Sequence, residues 1–260
     1  MPPEANVTTP QDHMVAGQPV IRLGNVSKPT ITFYKPAGKN TGVGILVFPG
    51  GGYRYDAIDI EGTEVCQWLN SIGVNCILLK YRVPDTGPYP KSAAALQDAQ
   101  RAMGLVRLHA AVWGIDPNRL GVMGFSAGGF LSAAIANIYE KRVYEPADAA
   151  DKLSCRPDFS VVIYPGYLAL AEKDFAPNPA IQPTANTPPT FILQAENDPV
   201  HVENSVVYFM EVKNAKVPAE LHIYTQGGHG YGLRKTGLPI ANWPSLVDTW
   251  LHTIKMLPAE

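Results

Sequence analysis

One short segment of the chain has the residue types and spacing of a turn that carries a nucleophile. Gly124, Ser126 and Gly128 form a Gly-x-Ser-x-Gly pattern directly after an apolar, β-rich run and directly before a helical pattern of small residues. A serine hydroxyl is a poor nucleophile unless a tight turn exposes it beside a base, and flanking glycines let strand and helix approach closely. The pattern therefore predicts Ser126 as the nucleophile of covalent catalysis.

Three consecutive glycines supply candidate donors for a negatively charged oxygen. Gly50, Gly51 and Gly52 follow an early apolar run, and such a loop can turn backbone N–H groups inward. With the N–H of Ala127, donors from Gly51 or Gly52 would form an oxyanion hole. A phosphate-binding loop is the competing interpretation, but neither Gly-Lys-Ser/Thr nor Gly-x-Gly-x-x-Gly spacing is present, and we set it aside.

An acid and a base follow two later β-rich runs. Asp198 ends an acidic turn before a helical pattern, and His229 lies between glycines. These residues suggest that His229 removes the Ser126 proton and returns it to the leaving group, while Asp198 fixes the imidazole tautomer. Glu196 lies on the same turn as Asp198 and is an alternative for the orienting acid.

The remaining ionisable groups are assigned no catalytic role. We interpret five histidines as structural, of which His201 is the nearest rival to His229 as the base; the five are His13, His109, His201, His222 and His252. The acidic residues after the glycines, Asp56, Asp59 and Glu61, lack clustered histidines and do not suggest a metal site. The sequence predicts no metal and no cofactor.

Strand and helix patterns alternate from residue 43 onward. Near-continuous apolar runs are typical of a buried parallel sheet, and the alternation indicates a doubly wound α/β domain whose ligand site lies at the carboxyl ends of the strands. The predicted strands are Ile31–Tyr34, Val43–Phe48, Cys76–Tyr81, Leu120–Gly124, Ser160–Tyr164, Thr190–Gln194 and Leu221–Tyr224, and the predicted helices are Gly62–Ser71, Ser92–Val112, Ala127–Tyr139, Val202–Ala215 and Pro244–Leu257.

The length of 260 residues fits one large domain. We predict a lead-in over residues 1–29 and a single domain over residues 30–260. The segment Ala171–Pro189, rich in Pro, Ala and Asn, is predicted to be a long loop, either a short lid over the site or a surface connection.

Charge and hydropathy exclude several classes of partner. Lys and Arg number 21 against 23 Asp and Glu, with no basic run, so nucleic acid is excluded as a partner. No apolar run approaches the length of a membrane span, and we expect a soluble protein. The sequence fits a cytoplasmic protein and the mature form of a secreted one equally, and it carries no signal for an oligomeric state.

The three cysteines show no motif. Cys66, Cys76 and Cys155 are odd in number and lack CxxC spacing, so we predict neither a disulfide nor a thiolate metal site. They are interpreted as small buried apolar residues.

Together, four motifs resemble the α/β-hydrolase superfamily, and more narrowly the small bacterial esterases grouped with acetylxylan and feruloyl esterases. The motifs are Pro49-Gly50-Gly51-Gly52-Tyr53, Gly124-Phe125-Ser126-Ala127-Gly128-Gly129, Asn197-Asp198-Pro199 and Gly227-Gly228-His229-Gly230. The resemblance covers roughly residues 30–256 and implies an α/β-hydrolase fold, with Ser126, Asp198 and His229 as catalytic residues. The chain departs from related esterases at Pro49 and Phe130, where those carry histidine, so acyl or sugar specificity is not carried over.

The expected activity is serine carboxylic-ester hydrolysis. The absence of a long cap insertion favours an open site for acetyl or other short acyl groups on a carbohydrate or small ester. Tyr53, Tyr55, Tyr81 and Arg82 are candidate substrate contacts on loops at the carboxyl ends of strands, or else packing residues. A prolyl-oligopeptidase-type peptidase and a non-catalytic binding protein are the alternative functions.

Overall fold

A seven-stranded sheet runs through the centre of the computed structural model, which describes residues 3–7 and 13–258. Its strands are β1 (Thr30–Tyr34), β2 (Gly44–Phe48), β3 (Asn75–Lys80), β4 (Leu120–Phe125), β5 (Ser160–Ile163), β6 (Thr190–Ala195) and β7 (Ala219–Tyr224). Their order in the sheet is β7-β6-β5-β4-β2-β3-β1, and only the pair of β1 with β3 is antiparallel.

Five α-helices cover the two faces of this sheet. They are α1 (Glu64–Ser71), α2 (Ala94–Trp113), α3 (Ala127–Asn137), α4 (Glu203–Asn214) and α5 (Trp243–Thr253). Buried residues of α2, α3 and α4 share one core with Leu46 and Phe48 of β2, whereas α1 and α5 share the other with Ile45 and Val47. Because alternate residues of a strand point to opposite faces, a continuously apolar β2 serves both cores. The predicted α/β architecture is confirmed.

The described part of the lead-in lies against the main domain. Arg22 and Leu23 pair with Ala57 and Asp56, and the Ile21 N–H donates to Asp59 Oδ1 over 3.0 Å. The Arg234 guanidinium donates to the carbonyl oxygens at positions 18 and 19. These contacts hold residues 18–24 beside the carboxyl ends of the strands. Residues 1–2, 8–12 and 259–260 of the predicted lead-in and domain lie outside the described residues, and the division at residue 29 stays a prediction.

Short elements connect the larger ones. The two-residue and three-residue strands are Ala5–Asn6, Met14–Val15, Gln18–Pro19, Arg22–Gly24, Asp56–Ala57, Ala169–Leu170 and Ala176–Pro177. A π-helical turn spans Asp59–Thr63, and 3₁₀ turns span Ala149–Lys152, Ala171–Lys173 and Pro239–Asn242. The segment predicted as a long loop thus contains a 3₁₀ turn and a short strand. Among the described helices, none has both the length and the apolar character needed to cross a membrane.

The prediction that the chain has no disulfide is wrong. Cys66 of α1 and Cys76 of β3 are joined, with Cα atoms 5.1 Å apart. The chain turns back at Gly73, between helix and strand, so residues ten apart in sequence become neighbours without any CxxC spacing. Cys155 is a buried free thiol, as predicted. The pairing depends on how α1 packs on β3, and the sequence pattern does not contain that geometry.

Candidate active site

Ser126 occupies a strained turn between β4 and α3. Its φ of 53° and ψ of −116° are rare for a residue with a side chain. The turn is tight because a Cβ at Gly124 would lie 1.9 Å from the carbonyl oxygen of Gly128. Only glycine therefore fits at position 124, and the turn presents the Ser126 side chain at the carboxyl end of the sheet.

Ser126, His229 and Asp198 form one hydrogen-bonded chain. The Ser126 Oγ lies 2.8 Å from His229 Nε2, and His229 Nδ1 lies 2.9 Å from Asp198 Oδ2. Asp198 is 4% exposed, and its carboxylate also accepts from the Gln194 side-chain amide at 3.0 Å and the Val200 N–H at 2.7 Å. A carboxylate held by three donors is fixed in position, so it can orient the imidazole.

Three parallel strands of the sheet bring these residues together. Ser126, Asp198 and His229 follow β4, β6 and β7, whose carboxyl ends lie along the same edge of the parallel sheet. Glu196, the alternative acid, is exposed and forms no described contact with His229. Of the two acids that the sequence left open, the structure brings Asp198 to the imidazole.

The glycine loop, defined as residues 49–53, lies beside Ser126. Gly51 and Gly52 have φ values of +134° and +61°, and a Cβ at Gly51 would lie 1.9 Å from the carbonyl oxygen of Tyr55. Within residues 3–7 and 13–258, no atom accepts a hydrogen bond from the N–H groups of Gly51, Gly52 or Ala127. Unused N–H groups next to a nucleophile can bind an oxygen that gains negative charge.

Two of the predicted substrate-contact residues support the site from behind. The Tyr53 hydroxyl donates to the carbonyl oxygen of Ala127 at 2.9 Å, and the Tyr81 hydroxyl donates to that of Pro49 at 2.7 Å. Both rings are buried, and burial raises the pKa of each hydroxyl well above its ordinary value. Each hydroxyl therefore stays protonated and anchors the loop or turn that it contacts.

Arg82, another of the predicted substrate contacts, is paired elsewhere. Its guanidinium forms a salt bridge of 2.7 Å with Asp98 and donates to the Gln97 side chain at 2.8 Å. Arg82 lines neither of the two cavities that meet at Ser126. These contacts favour the packing interpretation of Tyr53, Tyr81 and Arg82 over substrate contact.

Two cavities meet at Ser126. The first, of about 590 Å³, is called here the polar cavity, and its wall includes His13, Arg22, Arg54, Tyr55, Asp85 and His229. The second, of about 660 Å³, is called the apolar cavity, and its wall includes Tyr89, Leu170, Ala171, Phe175, Pro179 and Val200. Gly52, Pro88, Ser126 and Tyr167 border both. The start of the predicted 171–189 loop thus forms one wall of the apolar cavity.

Of these wall residues, Tyr55 had been predicted as a substrate contact and lines the polar cavity, whereas sequence reasoning missed Arg22 and Tyr167. Arg22 lies in the lead-in, with its guanidinium 4.7 Å from the centre of the Tyr55 ring, and Tyr167 follows β5 without any motif. Neither position carries a signal in the sequence, because both residues reach the site only through tertiary contacts. His201, the rival base, lies against Phe175 on the apolar side and not against Ser126.

No metal is suggested by the arrangement. Among the described residues, no group of three or more His, Cys, Asp or Glu side chains is arranged to hold an ion. Of the acids after the glycine loop, Asp59 pairs with Arg234, and Glu61 contacts Gly50 and Tyr164. These two carboxylates therefore already have protein partners.

Fold and site together define a class: α/β proteins that carry a serine, hydrogen-bonded to a histidine, on a strained turn at the carboxyl end of a central strand. The chain belongs to the α/β-hydrolase family, because a family model described as having the alpha/beta hydrolase fold matches residues 45–180.

Three curated relatives are similar over most of this chain. The acetylxylan esterase of Xylanibacter ruminicola is 30% identical over 236 residues, which cover 82% of this chain and 45% of that protein. The ethyl acetate hydrolase of Pseudomonas putida is 27% identical over 237 residues, covering 77% of this chain and 70% of that protein. An endo-1,4-beta-xylanase B of Butyrivibrio fibrisolvens is 30% identical over 72% of this chain and 32% of its own length. The chain thus spans less than half of two of these relatives.

One solved structure matches nearly end to end. The acetyl ester-xyloside bifunctional hydrolase of Caldicellulosiruptor lactoaceticus superimposes with a TM-score of 0.76 at 34% identity, covering 98% of this chain and 97% of that one. The similarity therefore extends over the whole sheet and the loops that carry the site.

Proposed function

We propose that this protein is a serine carboxylic-ester hydrolase that removes acetyl or another short acyl group from a carbohydrate or small ester. The observation that carries the proposal is the hydrogen-bonded chain of Ser126, His229 and Asp198 beside unused backbone N–H groups. A nucleophile, a base, an orienting acid and oxyanion donors are the four parts that acyl transfer requires.

The chemistry proceeds in two steps. His229 Nε2 takes the proton of Ser126 Oγ as the oxygen attacks the ester carbon, and the carbonyl oxygen becomes negative against the N–H groups of Gly51 or Gly52 and Ala127. His229 then gives the proton to the departing alcohol, which leaves an acyl group on Ser126. Water, deprotonated by the same imidazole, releases the acid and restores the serine.

The position of His229 sets the direction of the substrate. The departing alcohol receives its proton from His229, so it must leave on the side where the imidazole lies. His229 lines the polar cavity and does not line the apolar cavity, whereas Ser126 lines both. The alcohol part of the ester therefore occupies the polar cavity, and the acyl part occupies the apolar cavity.

The walls suit these two parts. Arg22, Arg54 and Asp85 offer donors and an acceptor for hydroxyl groups, and Tyr55 adds an aromatic ring, a combination that suits a carbohydrate. Leu170 and Phe175 line the other side and give an acyl chain an apolar surface. The acetylxylan esterase and the acetyl ester-xyloside hydrolase among the similar proteins support an acetylated sugar as the substrate.

The first test compares the native chain with Ser126→Ala. Both are assayed on p-nitrophenyl acetate, butyrate and octanoate and for acetate release from acetylated xylan. We expect a loss of kcat/KM by several orders of magnitude in the variant, with acetate the preferred acyl group on the native enzyme. Equally slow hydrolysis by both proteins on every ester would contradict the proposal and favour a binding protein.

A second test addresses the alternatives. A fluorophosphonate should label Ser126 of the native chain but not Ser126→Ala. Labelling together with hydrolysis of proline-containing peptides, and no turnover of esters, would favour a peptidase over an esterase.

A third test addresses the two sides of the site. Ala171→Trp fills part of the apolar cavity, so it should reduce turnover of the octanoate ester far more than that of the acetate ester. Arg54→Gln should raise KM for acetylated xylooligosaccharides and leave p-nitrophenyl acetate unaffected, because Arg54 is exposed on the polar wall. The opposite pattern would reverse the assigned direction.

A further inference from the structure

A buried carboxylate lies directly behind the candidate active site. Glu61, in the π-helical turn between the glycine loop and α1, is only 3% exposed. Its Oε2 accepts from the Gly50 N–H at 2.6 Å, and its Oε1 accepts from the Tyr164 hydroxyl at 2.8 Å. Burying an acid this fully is costly, so a role beyond packing is expected of it.

Tyr164 extends this contact to the loop that carries the base, called here the histidine loop (residues 227–232). The Tyr164 hydroxyl accepts from the Gly232 N–H at 3.1 Å, and the edge of its ring packs on the His229 ring with centroids 5.1 Å apart. Since the hydroxyl oxygen accepts from Gly232, its own proton points to Glu61. Both oxygens of Glu61 thus receive a donor, which is the arrangement that an ionised carboxylate needs.

We propose that Glu61, as a carboxylate, is a positioning residue that joins the glycine loop to the histidine loop and stabilises the protonated His229 that forms during the reaction. The inference rests on the proposed function, because it assigns Glu61 to the same acyl transfer. Glu61 touches no reacting atom: it acts through Gly50 on the oxyanion donors and through its charge on the imidazole.

The charges around Glu61 agree with this role. The pKa of Glu61 lies above its ordinary value because of burial and, to a smaller extent, the nearby Asp59, while the Tyr164 hydroxyl, a protonated His229 and the Gly50 N–H each act to lower it. The other titratable groups that face it, Asp59, Tyr81 and Tyr231, bring no positive charge. Protonated His229 is thus the positive group that acts on Glu61, and by reciprocity Glu61 favours the protonated imidazole.

The test is Glu61→Gln, which keeps the size of the side chain and removes its charge. The amide offers one oxygen to two donors, so one of the two loops is released. We expect kcat on p-nitrophenyl acetate to fall by up to about 100-fold with little change in KM, as for a displaced catalytic group. Without the negative charge, the protonated imidazole is stabilised less during the reaction, so the acid limb of the kcat/KM profile should move to lower pH.

Two matched variants separate charge from structure. Glu61→Asp keeps the charge but is too short to reach both donors, so its kcat should fall while the acid limb stays near its native pH. Asp56→Asn removes the carboxyl group of an equally buried residue that faces Lys80 and Asp98 and not His229, so it should leave the acid limb in place.

A native-like kcat and an unmoved acid limb in Glu61→Gln would overturn the inference. If kcat of Glu61→Gln falls but the acid limb of its kcat/KM profile does not move, the electrostatic role is refuted, and Glu61 has a packing role only. If Glu61→Gln does not fold, Tyr164→Phe decides, because it removes the hydroxyl between the two loops and keeps the ring: native-like turnover would then refute the proposal. Absence of esterase activity in the native chain would instead refute the proposed function itself.

Discussion

Replacing Asp198 by Asn is the sharpest single test of the proposed mechanism. The carboxylate of Asp198 is surrounded by three donors: the Val200 N–H at 2.7 Å, His229 Nδ1 at 2.9 Å and the Gln194 amide at 3.0 Å. An asparagine side chain has one oxygen and one NH₂ group, so its NH₂ must face at least one of these donors.

Either orientation of the amide harms the site. With NH₂ toward His229, the amide donates to Nδ1, so the imidazole proton must lie on Nε2. Nε2 then faces Ser126 with a proton already bound, and it cannot act as a base. With NH₂ toward Val200, two donors meet in a buried place, at a cost of about 1–3 kcal/mol in stability. In both cases the negative charge that stabilises the imidazolium is lost. We expect kcat to fall roughly 10⁴-fold, which corresponds to about 5.5 kcal/mol of activation free energy.

The assay is steady-state hydrolysis of p-nitrophenyl acetate and of acetylated xylooligosaccharide, with thermal unfolding measured on the same preparations. Glu196→Gln is the matched control, since it removes a carboxylate from the same turn at an exposed position and should keep native turnover. An Asp198→Asn variant that folds and retains more than about a tenth of the native kcat would refute the assignment of Asp198.

Two further predictions concern stability. The Cys66–Cys76 disulfide joins residues that are ten apart in sequence, so reduction or Cys66→Ser should lower the free energy of unfolding by about 2.7 kcal/mol, measured in urea. Reductant should have no further effect on that variant, and a native protein insensitive to reductant would contradict the pairing. For Asp151, burial raises the pKa, but hydrogen bonds from Tyr144 and the Ala147 N–H and the nearby Arg101 outweigh it and lower the pKa to about 2. Because the folded pKa lies below the ordinary value, this stabilisation is complete above about pH 4 and is lost as the pH falls toward about 2. The native chain should therefore exceed Asp151→Asn in urea midpoint at about pH 6, and the difference should shrink by about pH 2. An advantage that stays constant with pH would argue against an ionised Asp151 as its cause.

Local signals predicted most of the framework. Continuous apolar runs marked the five central strands, β2 to β6, because a buried parallel strand has no solvent face and needs no polar alternation. The edge strands β1 and β7 are only partly buried, and their β-rich residues marked them instead. The helices were predicted to within a few residues, and their ends differ because capping and the π-helical turn before α1 depend on neighbours.

The sequence also determined the candidate nucleophile and the histidine, because each depends on a local pattern. Gly124 is required by the close approach of α3 to β4, and a serine between such glycines can be read without a structure. The choice between Asp198 and Glu196 could not be made in this way, because both lie on the same turn. Which carboxylate reaches His229 depends on how the loops after β6 and β7 pack against each other.

The surroundings of these residues follow from tertiary packing and not from any local pattern. The Cys66–Cys76 pair, the wall residues Arg22 and Tyr167, and the contacts of Glu61 join segments whose separation in sequence carries no pattern. Tyr81 and Arg82 were predicted to contact substrate because they follow β3. In the structure, the Tyr81 hydroxyl instead donates to the buried Pro49 carbonyl, and Arg82 forms a salt bridge with the buried Asp98. Propensity and periodicity act over a few residues, whereas cavities and buried polar contacts form where distant segments pack, and that packing is fixed by the fold as a whole.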